Sequence, residues 1–81
     1  MSIESQFVYV ALYEHRYGHD VAVFQSEESA WKWADEIAQE YWNGFYNEPK
    51  PKDNIGVAYF NGMPEAGGEE WFTVEHKKVE P

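Results

Sequence analysis

Two apolar runs near the beginning of the chain predict a β-hairpin. The first is FVYVALY, at residues 7–13, and the second is VAVF, at residues 21–24; both are rich in β-branched and aromatic residues. The segment between them, EHRYGHD, is polar and contains one glycine. Short polar segments with a glycine are typical of hairpin loops, so we expect a hairpin over residues 7–24.

The position of Gly18 favours one register for this hairpin. A glycine suits the left-handed position that follows a type I turn, which gives a three-residue loop with a bulge. In that register His15 faces His19 across the hairpin. The alternative two-residue loop would place Glu14 opposite Val21, and it would force a tyrosine into a strained positive φ. We therefore expect the first register.

After residue 25 the apolar spacing changes to that of a helix. Ser26 is a favoured N-cap, and Glu27 and Glu28 place negative charge in the first turn, where the helix dipole favours it. Apolar residues then recur every three or four positions, which predicts a helix over residues 27–44 with one buried stripe. The stripe consists of Ala30, Ala34, Ile37, Tyr41 and Phe45.

The remainder of the chain predicts a connector, a short helix and a strand. Residues 45–54 contain two prolines and no apolar periodicity. Residues 54–61 suit either a short helix or a strand, and Asp53 and Asn54 favour the helix because they offer N-cap side chains. Residues 70–78 alternate between apolar and polar positions and predict a last strand.

These elements define an α+β fold of one domain with the order β-β-α-(α)-β. A three-stranded antiparallel sheet, formed by the hairpin and the last strand, buries the helix stripe on one face. We expect the last strand to pair with the first. A chain of 81 residues without cysteine cannot be stabilised by disulfides, so its four Trp, six Tyr and five Phe must supply most of the core.

The charge balance indicates the kind of partner. Fifteen Asp and Glu against six Lys and Arg give a net charge of -9, which disfavours direct binding to nucleic acid or to an anionic membrane. A basic nucleic-acid-binding protein is the favoured partner, although acidity also serves solubility alone. The first residues lack the pattern of a signal peptide, and no apolar run is long enough to span a membrane, so we expect a cytoplasmic protein.

Carboxylates outside the helix stripe form the candidate partner-binding surface. An array of such groups can imitate the phosphates of nucleic acid, and an exposed aromatic ring would add an energetic anchor. The candidates are Glu27, Glu28, Asp35, Glu36, Glu40, Glu65, Glu69 and Glu70, with Trp31 as the anchor. Alternatively the aromatic rings belong to the core, or an exposed Trp patch forms the seam of a homodimer.

Three histidines offer an alternative based on metal binding. If the last strand lies beside the first, His15, His19 and His76 could approach one another near one edge of the sheet, and imidazole suits zinc, copper or nickel. No zinc-site spacing is present, however, and no serine lies in a recognisable nucleophile motif. We therefore expect no metal, no cofactor and no enzymatic activity.

The hairpin EHRYGHDVAVF followed by SEESAWKWADEIAQEYW resembles small acidic proteins encoded by phages and other mobile elements. In size, acidity and lack of cysteine the chain is similar to anti-CRISPR and anti-restriction inhibitors, several of which mimic DNA. The resemblance implies an inhibitor of a host nucleic-acid-handling defence protein in the bacterial cytoplasm. The alternative is an immunity or antitoxin-type protein that neutralises a basic toxin.

Overall fold

A computed structural model describes residues 7–79 of the chain. The elements are β1 (Phe7–His15), β2 (Gly18–Phe24), α1 (Glu27–Phe45), α2 (Ile55–Asn61), α3 (Met63–Ala66) and β3 (Trp71–Lys78). The strands form an antiparallel sheet in the order β2-β1-β3, so the last strand pairs with the first. The predicted α+β fold is confirmed, and the ambiguous segment is a helix. The four-residue helix α3 was not predicted.

The hairpin register differs from both registers considered for the sequence. His15 pairs with Gly18, and Glu14 pairs with His19, so the loop consists of two residues, Arg16 and Tyr17. The strained backbone is avoided because Gly18 carries the positive φ, at 132°, and Tyr17 does not. The prediction that His15 faces His19 is therefore wrong. A shift of one residue moves His19 to the opposite face of the sheet.

One face of the sheet packs against the helices. We call it the inner face, and at its centre Ala11 and Tyr13 of β1 and Phe72 of β3 are buried. Phe60 of α2 stacks on Phe72 with the ring centroids 5.2 Å apart. The helices thus form a second layer on this face, and the molecule is flat, with principal dimensions of 54 × 27 × 17 Å.

Helix α1 buries a different stripe from the predicted one in its second half. Ala30, Ala34 and Ile37 are buried as predicted, but Ala38 and Trp42 take the places expected for Tyr41 and Phe45, which remain exposed. The reason is that α1 packs against α2 as well as against the sheet. The buried side of α1 therefore turns toward α2.

A close contact joins α1 to α2 at Gly56. A Cβ atom at this position would lie 2.8 Å from the Ala34 Cβ atom, so the approach of the two helices requires glycine. At this separation the Asp35 carboxylate accepts a hydrogen bond of 2.8 Å from the Gly56 backbone N–H. Asn54 is the N-cap residue of α2 but makes no side-chain cap hydrogen bond. The cap predicted from Asp53 and Asn54 is thus supplied by Asp35 of α1.

Among the described helices, none combines the length and the apolar character that crossing a membrane would require.

Candidate functional site

Four of the predicted carboxylates on α1 project into solvent. Glu27, Glu28, Glu36 and Glu40 are exposed, and none of them forms an ion pair with a residue in the described range. Lys32 is the one basic residue of α1. The 19 residues of the helix extend over about 28 Å. Glu28, Glu36 and Glu40 lie on the side of α1 away from its buried stripe, whereas Glu27 is in line with that stripe at the beginning of the helix. We refer to these four side chains together as the acidic helix face.

Asp35 has a structural role that the sequence did not indicate. Its side chain is directed toward α2, where it caps the helix through the Gly56 N–H. It is half-buried, in contrast to its neighbour Glu36. Asp35 is therefore set apart from the acidic helix face, since a carboxylate that caps a helix is only partly available to a partner.

Glu70 is also held inward. Its Oε1 atom accepts hydrogen bonds from the hydroxyls of Tyr13 and Tyr59, both at 2.9 Å. The pKa values of Tyr13 and Tyr59 are raised well above the ordinary value. Burial of the two phenols is the main cause, and their hydrogen bonds to the Glu70 carboxylate are the second. Both effects favour the protonated phenol, so both hydroxyls remain donors to Glu70 at neutral pH.

A groove of about 510 Å³ opens beside Glu70, between the hairpin loop, the end of α1 and the segment before β3. Its lining residues are Tyr13, His15, Arg16, Tyr17, Asp20, Tyr41, Phe45, Gly67, Gly68, Glu69 and Glu70. The lining includes three carboxylates, four aromatic rings and one arginine. This composition favours a cationic side chain of a partner as the ligand, because such a group can contact both carboxylate oxygens and ring faces. Glu69 and Glu70 are the predicted site residues that the structure brings together here.

Asp20 belongs to this groove and was missed as a partner-binding candidate. The register places it opposite Tyr13, on the inner face, and its carboxylate lies 3.0 Å from the Nε2 atom of His15. In the expected register, which paired His15 with His19, Asp20 would lie opposite Glu14 and on the other face of the sheet from His15. A correct register would have shown His15 and Asp20 on one face of the sheet.

The three histidines do not meet. His15 lies on the inner face at the hairpin loop, and His19, the partner of Glu14, lies on the opposite face of the sheet. His76 pairs with Tyr9, six residues along β1 from His15, which is a separation of about 20 Å. Within residues 7–79 no three metal-ligating side chains form a group that could hold an ion. The first and last strands are adjacent, but they do not bring the three histidines together.

The remaining two candidates lie apart from these groups. Trp31 is half-buried, and its ring centroid lies 5.3 Å from that of Phe72, so much of the ring packs against the core. Glu65 is exposed on α3 and lines a different depression, together with Trp42 and Tyr46. The predicted surface is therefore divided into the acidic helix face, the groove and these separate positions.

The chain has no match among protein-family models, curated proteins or solved structures.

Proposed function

We propose that this protein is a small, non-catalytic, acidic binding protein that acts in the cytoplasm on a basic nucleic-acid-handling protein. The observation that carries the proposal is the acidic helix face, where Glu27, Glu28, Glu36 and Glu40 are exposed without an ion-pair partner in the described range. Carboxylates left unneutralised on one helix attract Lys and Arg of a partner and steer its approach. A phage-type inhibitor of a host defence protein is the role that this chemistry supports best.

The density of charge limits how closely the face can mimic DNA. Duplex DNA carries one phosphate per ~1.7 Å, so a 28 Å segment holds roughly 16 phosphates. The four carboxylates of the acidic helix face lie within about 20 Å of helix, where DNA would hold roughly 12 phosphates, and Lys32 lies among them. We therefore infer that the chain occupies a few Lys and Arg side chains of the partner, and does not replace a whole DNA contact surface.

A second candidate is an immunity or antitoxin-type protein that neutralises one cognate basic toxin. The groove favours this alternative, since a concave site lined by Glu69, Glu70 and Asp20 fits a single cationic side chain. The two candidates differ in the partner, which is a DNA- or RNA-handling defence protein in the first case and a toxin encoded beside the chain in the second.

Affinity capture from bacterial lysate with mass spectrometry tests the proposal. Wild-type protein is compared with the double variant Glu36→Lys/Glu40→Lys, which should lose the principal captured protein. The matched control is Glu48→Lys/Asp53→Lys, which changes two exposed acidic residues of the connector and gives the same net charge. Equal loss in both variants would show that only net charge matters, and retention in both would contradict the assignment to the acidic helix face.

A further inference from the structure

The sheet face turned away from the helices, here called the outer face, carries a group of apolar side chains. The group consists of Val8, Val10 and Leu12 of β1, Val21 and Val23 of β2, and Trp71 of β3. Val23 lies opposite Val10 and Val21 lies opposite Leu12, so the aliphatic side chains adjoin one another. Val21, Val23 and Trp71 are 57%, 61% and 49% exposed.

This composition is unusual for a sheet face in water. An antiparallel sheet with one solvated face alternates apolar and polar residues along each strand. In contrast, β1 is apolar at every position from Phe7 to Tyr13. Uninterrupted apolar strands are typical of sheets covered on both faces, and in residues 7–79 the helices lie on the inner face only. The pattern therefore indicates that a second layer covers the outer face.

The charges identify the kind of layer. Within the described range the outer face carries two carboxylates, Glu14 and Glu75, and one lysine, Lys77, which lies 3.6 Å from Glu75. The face is nearly neutral, although the whole chain has a net charge of -9. A basic partner finds few carboxylates here, whereas a second copy of the chain meets little repulsion, because most of the acidic residues lie elsewhere.

We propose that two copies of the chain associate back to back through their outer faces. The two sheets would pack as in a β-sandwich, ~10 Å apart, with the helices on the outside. Three strands of about eight residues give a face of roughly 14 × 27 Å, or about 400 Å² per chain. This is about half of the area that each partner buries in a standard interface. We therefore expect a weak dimer with a dissociation constant in the micromolar range or above. It leaves the acidic helix faces of both copies free for partners.

Sedimentation equilibrium over a wide concentration range tests the proposal. The average mass should rise from the 9.5 kDa of one chain toward twice that value. Added salt should strengthen the association modestly, since it screens the remaining long-range repulsion between two chains of net charge -9. Salt has the opposite effect on attraction to a basic partner, so failure of the dimer and failure of the proposed function are distinguishable.

Three variants assign the surface. Val21→Lys/Val23→Lys should remain folded, because both side chains are exposed in the single chain, and should stay monomeric. Val10→Lys changes the central strand and should also abolish the dimer. A dimer formed instead by pairing of two β2 strands along their free edges would tolerate this substitution. The control Val57→Lys alters an exposed valine of α2 and should leave the dimer intact.

Two results would overturn the proposal. The first is a wild-type chain that stays monomeric at millimolar concentration and high salt; loss of a captured partner in Val21→Lys/Val23→Lys would then assign the outer face to that partner. The second is a dimer that persists in both outer-face variants, which would place the contact on another surface.

Discussion

Replacing Glu70 with alanine should destabilise the fold strongly, although this residue belongs to the carboxylates that the sequence indicates as a binding surface. Its Oε1 atom is the hydrogen-bond acceptor for Tyr13 and Tyr59. Tyr59 is fully buried and Tyr13 is 8% exposed, so water can replace the lost acceptor only in part. A buried hydroxyl left without a partner costs about 1–3 kcal/mol.

The expected loss is about 2–3 kcal/mol for the two hydroxyls together, because the space vacated by Glu70 borders the groove and admits some water. For a domain of this size each kcal/mol lowers Tm by about 4–8 °C, so we expect Tm to fall by roughly 10–20 °C. Thermal and urea unfolding, followed by circular dichroism, measure both quantities. Glu69→Ala is the matched control, since Glu69 is exposed, and its effect should stay within about 0.5 kcal/mol.

A rescue experiment separates the hydrogen bonds from other effects of the substitution. Adding Tyr13→Phe and Tyr59→Phe to Glu70→Ala removes the two orphaned hydroxyls, so the triple variant should be more stable than Glu70→Ala alone. If Glu70→Ala proves as stable as Glu69→Ala, or if the phenylalanines bring no recovery, the buried carboxylate does not hold the two tyrosines as described.

Three further predictions concern the helix contact, the helix cap and the tyrosines. Gly56→Ala should destabilise the protein by about 1–2 kcal/mol, because overpacking against α1 outweighs the better helix propensity of alanine. The control is Gly44→Ala, which should be neutral or stabilising because a Cβ atom there meets nothing within 4 Å. Equal urea midpoints for the two variants would contradict the close contact between α1 and α2. Asp35→Ala should cost about 1 kcal/mol in urea unfolding through loss of the α2 cap, and an unchanged midpoint would refute the cap. Because the folded-state pKa values of Tyr13 and Tyr59 are raised, their contribution to stability is complete below about pH 10 and is lost as pH rises further, by up to about 1.4 kcal/mol per pH unit for each. Ultraviolet titration should then show part of the tyrosine ionisation only as the protein unfolds, and a tyrosine titration that is complete while the protein is still folded would contradict this.

The fold could be predicted from the sequence because its main elements have clear local signals. Alternating or continuous apolar runs indicated the strands, and Ser26 followed by two acidic residues indicated the beginning of α1. The Ser26 side chain accepts a hydrogen bond from the Ser29 N–H, as an N-cap residue should. The hairpin register could not be predicted reliably. Gly18 was correctly assigned the positive φ, but the glycine is a strand residue paired with His15 and not the last residue of the loop.

The candidate site was predicted less well, because exposure of a charged residue is a default assumption and not a local signal. Asp35 and Glu70 carry carboxylates as do their exposed neighbours Glu36 and Glu69, yet each accepts hydrogen bonds from a distant part of the chain. Such bonds depend on how the elements pack. The second half of the α1 stripe was wrong for the same reason, since α2 determines which side of α1 is buried.

The salt dependence of partner binding tests the central claim most directly. The captured partner would be titrated with wild-type protein by isothermal calorimetry at low salt and at half-molar salt. If the acidic helix face makes the contact, affinity should fall steeply as salt screens the attraction, and Glu36→Lys/Glu40→Lys should bind weakly at low salt. An affinity that is unchanged between the two salt concentrations, or equal in wild type and variant, would contradict the claim that exposed carboxylates of α1 bind a basic protein.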